Sequence, residues 1–307
     1  MAPPSSTKPN HSPRLALAGK PQLAIARLAI APIAMAGLAI SGLGLGTATG
    51  ARAQAWAASS DPLTGPRARY SKDWIGVRPV EPTTEILVMA GHSDSQGIGG
   101  AGTGGAAASL YGARPMQIGI TDELFWNLLT AQAVVQLGQE RGLKIRFYDP
   151  PQRSISSGND PRTTWSVGKA HVAQGGYALE IHYDAYGRDG VGSGLIPPIN
   201  KPLNQIDESL AKAFGAYPQF FRDGLGAPKR GIAILEIGKL EGSLENALRN
   251  PQTRIASLQA IATRIVDALT AGLGAPNPAA SPALEPNGQA MNSLPISPPP
   301  DVARSDR

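Results

Sequence analysis

Short apolar runs and longer stretches of helical period alternate through residues 84–273. Glu85 to Gly91, with Ile86-Leu87-Val88-Met89-Ala90 inside it, lacks a polar alternation, as expected of a strand covered on both faces. Lys144 to Tyr148, Tyr177 to His182 and Gly231 to Ile237 repeat that character, and Gly194 to Pro197 predicts a short edge strand. Between the first two strands, Thr121 to Arg141 puts Leu124, Leu128 and Val135, with neighbouring Phe125 and Leu129, on one helical face, and Gly142 supplies the C-cap. Thr164 to Ala173 predicts a weaker helix, Ser209 to Phe221 another, and Pro251 to Leu273 a long amphipathic helix that closes the domain. Strands alternating with helices define an α/β fold: a single domain with a mainly parallel (mixed) sheet and helices on both faces.

The flanks differ in composition. Residues 1–55 have a basic, polar start, an apolar run from Leu28 to Leu45 and Ala53-Gln54-Ala55 before Trp56, the three parts of a secretory signal peptide. The alternative is a permanent membrane anchor through residues 28–45, but that run is built on Ala and Gly with Pro32 inside it, a weak span. Residues 56–83 are polar with scattered Pro and Gly and read as a linker. Residues 274–307 are Pro, Ser, Asn and Ala with hardly a large apolar side chain, and read as a disordered tail.

The formal charge of +5 and pI near 9.5 raise the question of a nucleic-acid partner. The leader answers it: Lys8, Arg14, Lys20, Arg27 and Arg52 are the entire excess, and residues 56–307 hold 23 bases against 23 acids. No nucleic-acid partner is expected. With no cysteine in the chain, disulfides and thiol catalysis are excluded.

Three strand ends carry chemistry. Val88 to His92 and Glu180 to His182 end in imidazoles, and Ile232 to Gly238 passes through Glu236. In an open α/β sheet such ends meet in one crevice, so two histidines and a carboxylate there suggest a metal hydrolase. Lone histidines at strand ends are more often structural, and His171, in a helix-like polar context, is assigned as structural or surface. Glu180 shares a strand face with His182 by the period of two, which makes it an acceptor for that ring's free N–H. Glu123 sits in the first turn of its helix, where the dipole alone favours an acid. Gly97 to Gly102 contains a literal G-x-G-x-x-G, but His92 to Gln96 separate it from the strand and more loop follows, so no nucleotide cofactor is expected. A mobile glycine-rich loop beside the site is the better reading.

Taken together, these residues resemble the zinc-dependent N-acetylmuramoyl-L-alanine amidases. The family's opening strand ends in Ala-Gly-His or Pro-Gly-His, as does Ala90-Gly91-His92. A helix-start glutamate followed by Asn-Leu is similar to Glu123 with Asn127-Leu128, an Ile-His-x-Asn-Ala strand to Ile181 to Ala185, and the catalytic Glu-x-Gly to Glu236-Ile237-Gly238. The chain departs from the pattern at Glu180, Asp184 and Lys239 and in a longer interval between His92 and Glu123.

The resemblance implies Zn2+ held by His92, Glu123 and His182, Glu236 as the catalytic carboxylate, and peptidoglycan as the partner, cut between N-acetylmuramic acid and L-alanine by an exported protein of the periplasm or cell wall. Zinc lends Lewis acidity to a water and a carbonyl, and a carboxylate moves the proton. Two other readings stay open: a catalytically altered or metal-free wall-binding or regulatory protein of the same fold, and a zinc peptidase acting on stem peptides. The sequence names no protein activator.

Overall fold

The computed structural model describes residues 57–68, 72–199 and 202–274. The strands are β1 (Ala57–Asp61), β2 (Gly65–Ala68), β3 (Ile86–Ala90), β4 (Ile145–Tyr148), β5 (Tyr177–Asp184), β6 (Gly194–Ile196) and β7 (Ala233–Lys239). The helices are α1 (Gly105–Ser109), α2 (Asp122–Glu140), α3 (Thr164–Ala173), α4 (Gln205–Phe214), α5 (Gly226–Lys229), α6 (Gly242–Arg249) and α7 (Pro251–Gly272), with a 3-10 turn at Gln219–Gly224.

Strands β3 to β7 form a sheet of order β4-β3-β5-β7-β6, in which β4, β3, β5 and β7 run parallel and β6 pairs antiparallel with β7. This is the mainly parallel, mixed α/β sheet expected. Leu179, Ile181 and Tyr183 of β5 join Val134, Leu210 and Ile265 in one cluster with α2, α4 and α7. Ala178 joins Met89, Ile234 and Val172 of α3 in a second cluster on the opposite face. The period of two therefore directs Glu180 and His182 to the second face as well.

Side-chain caps fix where the main helices start. Thr121, Thr163 and Asn250 accept from the backbone N–H groups of Leu124, Ser166 and Gln252 in the first turns of α2, α3 and α7. At α4 a capping box of Asn204 and Asp207 starts the helix at Gln205, before the expected Ser209, and Gly215, at φ 110°, ends it well before Phe221.

The stretch assigned to a linker, 56–83, is corrected in its described part. β1 and β2 form an antiparallel hairpin, and Trp74 is 4% exposed with its Nε1 donating to Tyr217 O at 3.1 Å. A buried Trp contributes about 3–5 kcal/mol relative to Ala, so this stretch belongs to the folded domain. The expected signal peptide, the alternative anchor at 28–45 and the expected tail after Gly274 lie outside the described residues. Among the described residues no helix is long and apolar enough to cross a membrane.

Candidate active site

The C-terminal ends of β3, β5 and β7 gather His92, His182 and Glu236 beside the first turn of α2, which carries Glu123. His92 lies just past β3 with φ 62°, the one non-glycine residue with positive φ among those described. A bulky residue in the left-handed region is strained, and such strain persists only where neighbours over-determine it. Here Gly91 N donates to Ile181 O at 2.9 Å, Asn127 Nδ2 donates to Gly91 O at 3.0 Å, and Gln96 Nε2 donates to His92 O at 3.0 Å. The turn aims the His92 ring so that Nε2 is 3.2 Å from Glu123 Oε1. Gly91 has its own requirement, because a Cβ there would fall within the His182 ring.

Glu123 is buried and serves both histidines. Its Oε1 is 3.3 Å from His182 Nδ1 as well as 3.2 Å from His92 Nε2, while Oε2 accepts from Thr103 N at 2.9 Å. Burial raises its carboxyl, but hydrogen bonds and charge from His182 and His92 outweigh that and hold it down to about 2. The three donor atoms of His92, Glu123 and His182 lie within 4.8 Å of one another, so the group could hold a metal ion. Two imidazole nitrogens and one carboxylate oxygen are also the donor set of a catalytic zinc site.

His182 is buried. Its Nδ1 faces Glu123, and its Nε2 lies 3.6 Å from Glu180 Oε2, an ion-pair distance longer than a hydrogen bond. Burial lowers its pKa, yet the hydrogen bond of Glu123, the nearby Glu180 carboxylate and the charge of Glu236 leave it well above the usual histidine range. Glu236 is the Cα partner of His182 across β5 and β7, with Gly194 of β6 opposite it on the other side. Its Oε2 is buried and has no hydrogen-bond partner, as is the case for Glu180 Oε1. Burial pushes the Glu236 carboxyl well up, the positive His182 opposes this, and Asp184 and Glu123 add to it.

All five residues singled out in the sequence thus meet in one place. His171 does not: it is buried in the last turn of α3, its Nε2 3.0 Å from Glu85 O near the start of β3. Two further residues, given no role from the sequence, shape the site. Asp94 Oδ2 accepts from Thr164 N at 2.8 Å and fixes the start of α3 beside the site. Asp184 accepts from Ala185 N, Val191 N, Gly192 N and Tyr217 Oη, which binds the loop after β5. At the head of the glycine-rich stretch, Gln96 Nε2 donates to Ala101 O and Gln96 Oε1 accepts from Thr121 N, both at 2.9 Å. Gly102, at φ 91°, lets this stretch pass the site, since a Cβ there would lie 2.8 Å from Glu123 Oε2.

No protein-family model and no curated protein match the chain. Solved structures do. The catalytic domain of CwlV, an N-acetylmuramoyl-L-alanine amidase from Bacillus (Paenibacillus) polymyxa var. colistinus, is similar at 15% identity and a TM-score of 0.44, over 63% of this chain and 99% of that one. The N-acetylmuramoyl-L-alanine amidase AmiC2 of Nostoc punctiforme is similar at 11% identity and a TM-score of 0.41, over 63% of this chain and 99% of that one. The apo form of the N-acetylmuramyl-L-alanine amidase Ami1 from Mycobacterium abscessus is similar at 16% identity and a TM-score of 0.39, over 62% of this chain and 98% of that one.

Proposed function

We propose that this protein is a zinc-dependent hydrolase that cleaves the amide bond between N-acetylmuramic acid and L-alanine in peptidoglycan. The observation that carries the reading is the convergence of His92, Glu123 and His182 donor atoms within 4.8 Å, next to the buried, unpartnered Oε2 of Glu236. His92, Glu123 and His182 hold the metal, and the bond cleaved follows from the motif resemblance at Ala90 to His92, Glu123 to Leu128, Ile181 to Ala185 and Glu236 to Gly238. When bound, zinc supplies Lewis acidity toward water and toward a carbonyl oxygen. Glu236 Oε2 accepts the proton released by the attacking water and returns it to the leaving nitrogen. Export by the leader at 1–55 brings the protein to this polymer in the periplasm or wall.

Glu180 positions His182 and takes no part in proton transfer to substrate. Its Oε2 faces the imidazole nitrogen turned away from Glu123, where a carboxylate fixes the tautomer and ring orientation of a ligand histidine. Glu180→Gln should weaken zinc affinity by about 10- to 100-fold, with activity returning as zinc is added. Zinc titration beside a hydrolysis assay checks this. A Glu180→Gln protein that is saturated with zinc and still inactive would place Glu180 in the chemistry instead.

The bond is identified by mass spectrometry of a muropeptide digest. The expected products are an intact stem peptide with a free L-alanine amine and a glycan carrying free lactyl carboxylates. Stem peptides cut internally, with the lactyl amide intact, would show a peptidase.

A further inference from the structure

The N-terminal hairpin lies against the strand that carries Glu236. At Asp61 the chain turns through a bend in which Asp61 Oδ1 accepts from Leu63 N at 2.9 Å and Thr64 N at 3.1 Å. That bend puts the Thr64 carbonyl directly against Gly238, two residues past Glu236, where a Cβ would collide with it. Gly238 is in an irregular part of β7: His182 pairs with Glu236 and Asp184 with Lys239, so Tyr183 alone opposes Ile237 and Gly238. An extra residue in a strand bends it and re-aims nearby side chains, and bulges of this kind occur beside active sites. Thr64 itself is wholly buried.

The hairpin also holds the strand on the other side of Glu236. Ser193 N donates to Pro66 O at 2.8 Å and Ala68 N to Ser193 O at 2.7 Å, immediately before Gly194, the β6 partner of Glu236. Gly192 sits under the Pro66 carbonyl with no room for a Cβ. Two anchors keep the hairpin there. Asp61 Oδ2 pairs with Arg264 of α7 at 2.9 Å, and Arg67 donates to Lys212 O at 2.9 Å and Phe214 O at 3.2 Å, satisfying carbonyls at the C-terminus of α4 that the helix leaves free.

We infer that the hairpin of residues 57–68 is a positioning element for Glu236, acting through the backbone of Thr64 and Pro66 on the bulge at Gly238 and on the start of β6. The inference rests on Glu236 being the proton-transferring carboxylate. It assigns a catalytic consequence to a segment of low apolar content that touches neither His92, Glu123 nor His182 in any hydrogen bond or ion pair described above. Loosening the hairpin should misplace the carboxylate while leaving the metal ligands in order.

The test compares Asp61→Ala with Asp61→Asn in the full chain, alongside Glu236→Gln. Asparagine retains an acceptor for Leu63 N and Thr64 N and loses the ion pair and hydrogen bond with Arg264, whereas alanine removes the bend as well. For Asp61→Ala the expected result is a fall in kcat of about 10- to 100-fold on a muropeptide, KM within about twofold, unchanged zinc affinity and faster hydrogen exchange at the amides of Glu236 to Lys239. Asp61→Asn should recover most of the rate. Arg67→Ala, which releases the hairpin at α4 without altering the bend, is scored in the same way if Asp61→Ala does not fold. Faster exchange with unchanged kcat, unchanged exchange and kcat together, or a rate loss that follows zinc loss would each overturn the inference. Full activity in Glu236→Gln would instead defeat the role given to Glu236, whatever the exchange at β7 shows.

Discussion

Replacing Glu236 with glutamine should leave the metal bound and lower turnover by about 10² to 10⁴, the usual contribution of general acid–base catalysis. Glu236 is half-buried on β7 between β5 and β6, its Oε2 is buried without a hydrogen-bond partner, and its Cα partner on β5 is His182. Without metal, burial raises its carboxyl well above the ordinary glutamate range. A carboxylate tuned upward in this way is a stronger proton acceptor when ionised and a competent donor to a leaving nitrogen afterwards. Glutamine retains the shape and one acceptor oxygen but cannot take the proton. The loss should therefore fall on kcat and kcat/KM alike, while zinc affinity stays near that of the parent. Steady-state kinetics at saturating zinc checks this, and a Glu236→Gln protein as fast as the parent would remove Glu236 from the mechanism.

Position in the sheet separates Glu236 from Glu180. Both carboxylates point to one face of the sheet and both retain a buried oxygen without a partner. Glu180 faces the Nε2 of His182, and Glu236 is beside that histidine in the neighbouring strand. One is placed to orient a ring and the other to reach the reacting atoms, so their losses should appear in different measurements: metal affinity for Glu180, turnover for Glu236.

The strands were legible because β3, β5 and β7 are covered on both faces, which leaves continuous apolar runs between turn residues. Thr164–Ala173 was found at its observed bounds. The hairpin was not legible: Ala57–Asp61 and Gly65–Ala68 have neither alternation nor large apolar side chains, and they are held by backbone bonds to Ser193 and by Asp61 and Arg67. α6 was missed for a related reason, since Gly242–Arg249 buries only Leu244, Glu245 and Leu248, too few positions to establish a period. In α4, local capping by Asn204 and the break at Gly215 set the bounds, and the apolar pattern downstream of Gly215 belongs to other elements.

For the site, residue type and strand-end position named His92, His182 and Glu236, and motif order added Glu123. What the sequence could not show was the backbone that brings them together. The left-handed turn at His92 depends on Asn127 and Gln96, and the absence of a side chain at Gly91 is required by a ring 91 positions away in the chain, at His182. These are contacts between segments distant in sequence, and no local pattern encodes them.

The most direct measurement of the central claim is metal content in the purified full chain and in three single substitutions. Glu123 Oε1 lies within 3.3 Å of nitrogens from both His92 and His182, whereas His171 is bound into the base of the sheet through Glu85 O. Removing either site imidazole leaves two donors, the other imidazole and the Glu123 carboxylate, too few for a site with three protein ligands. The parent and His171→Ala should each carry one zinc, and His92→Ala and His182→Ala should carry none. Zinc retained in both His92→Ala and His182→Ala, and lost in His171→Ala, would contradict the account.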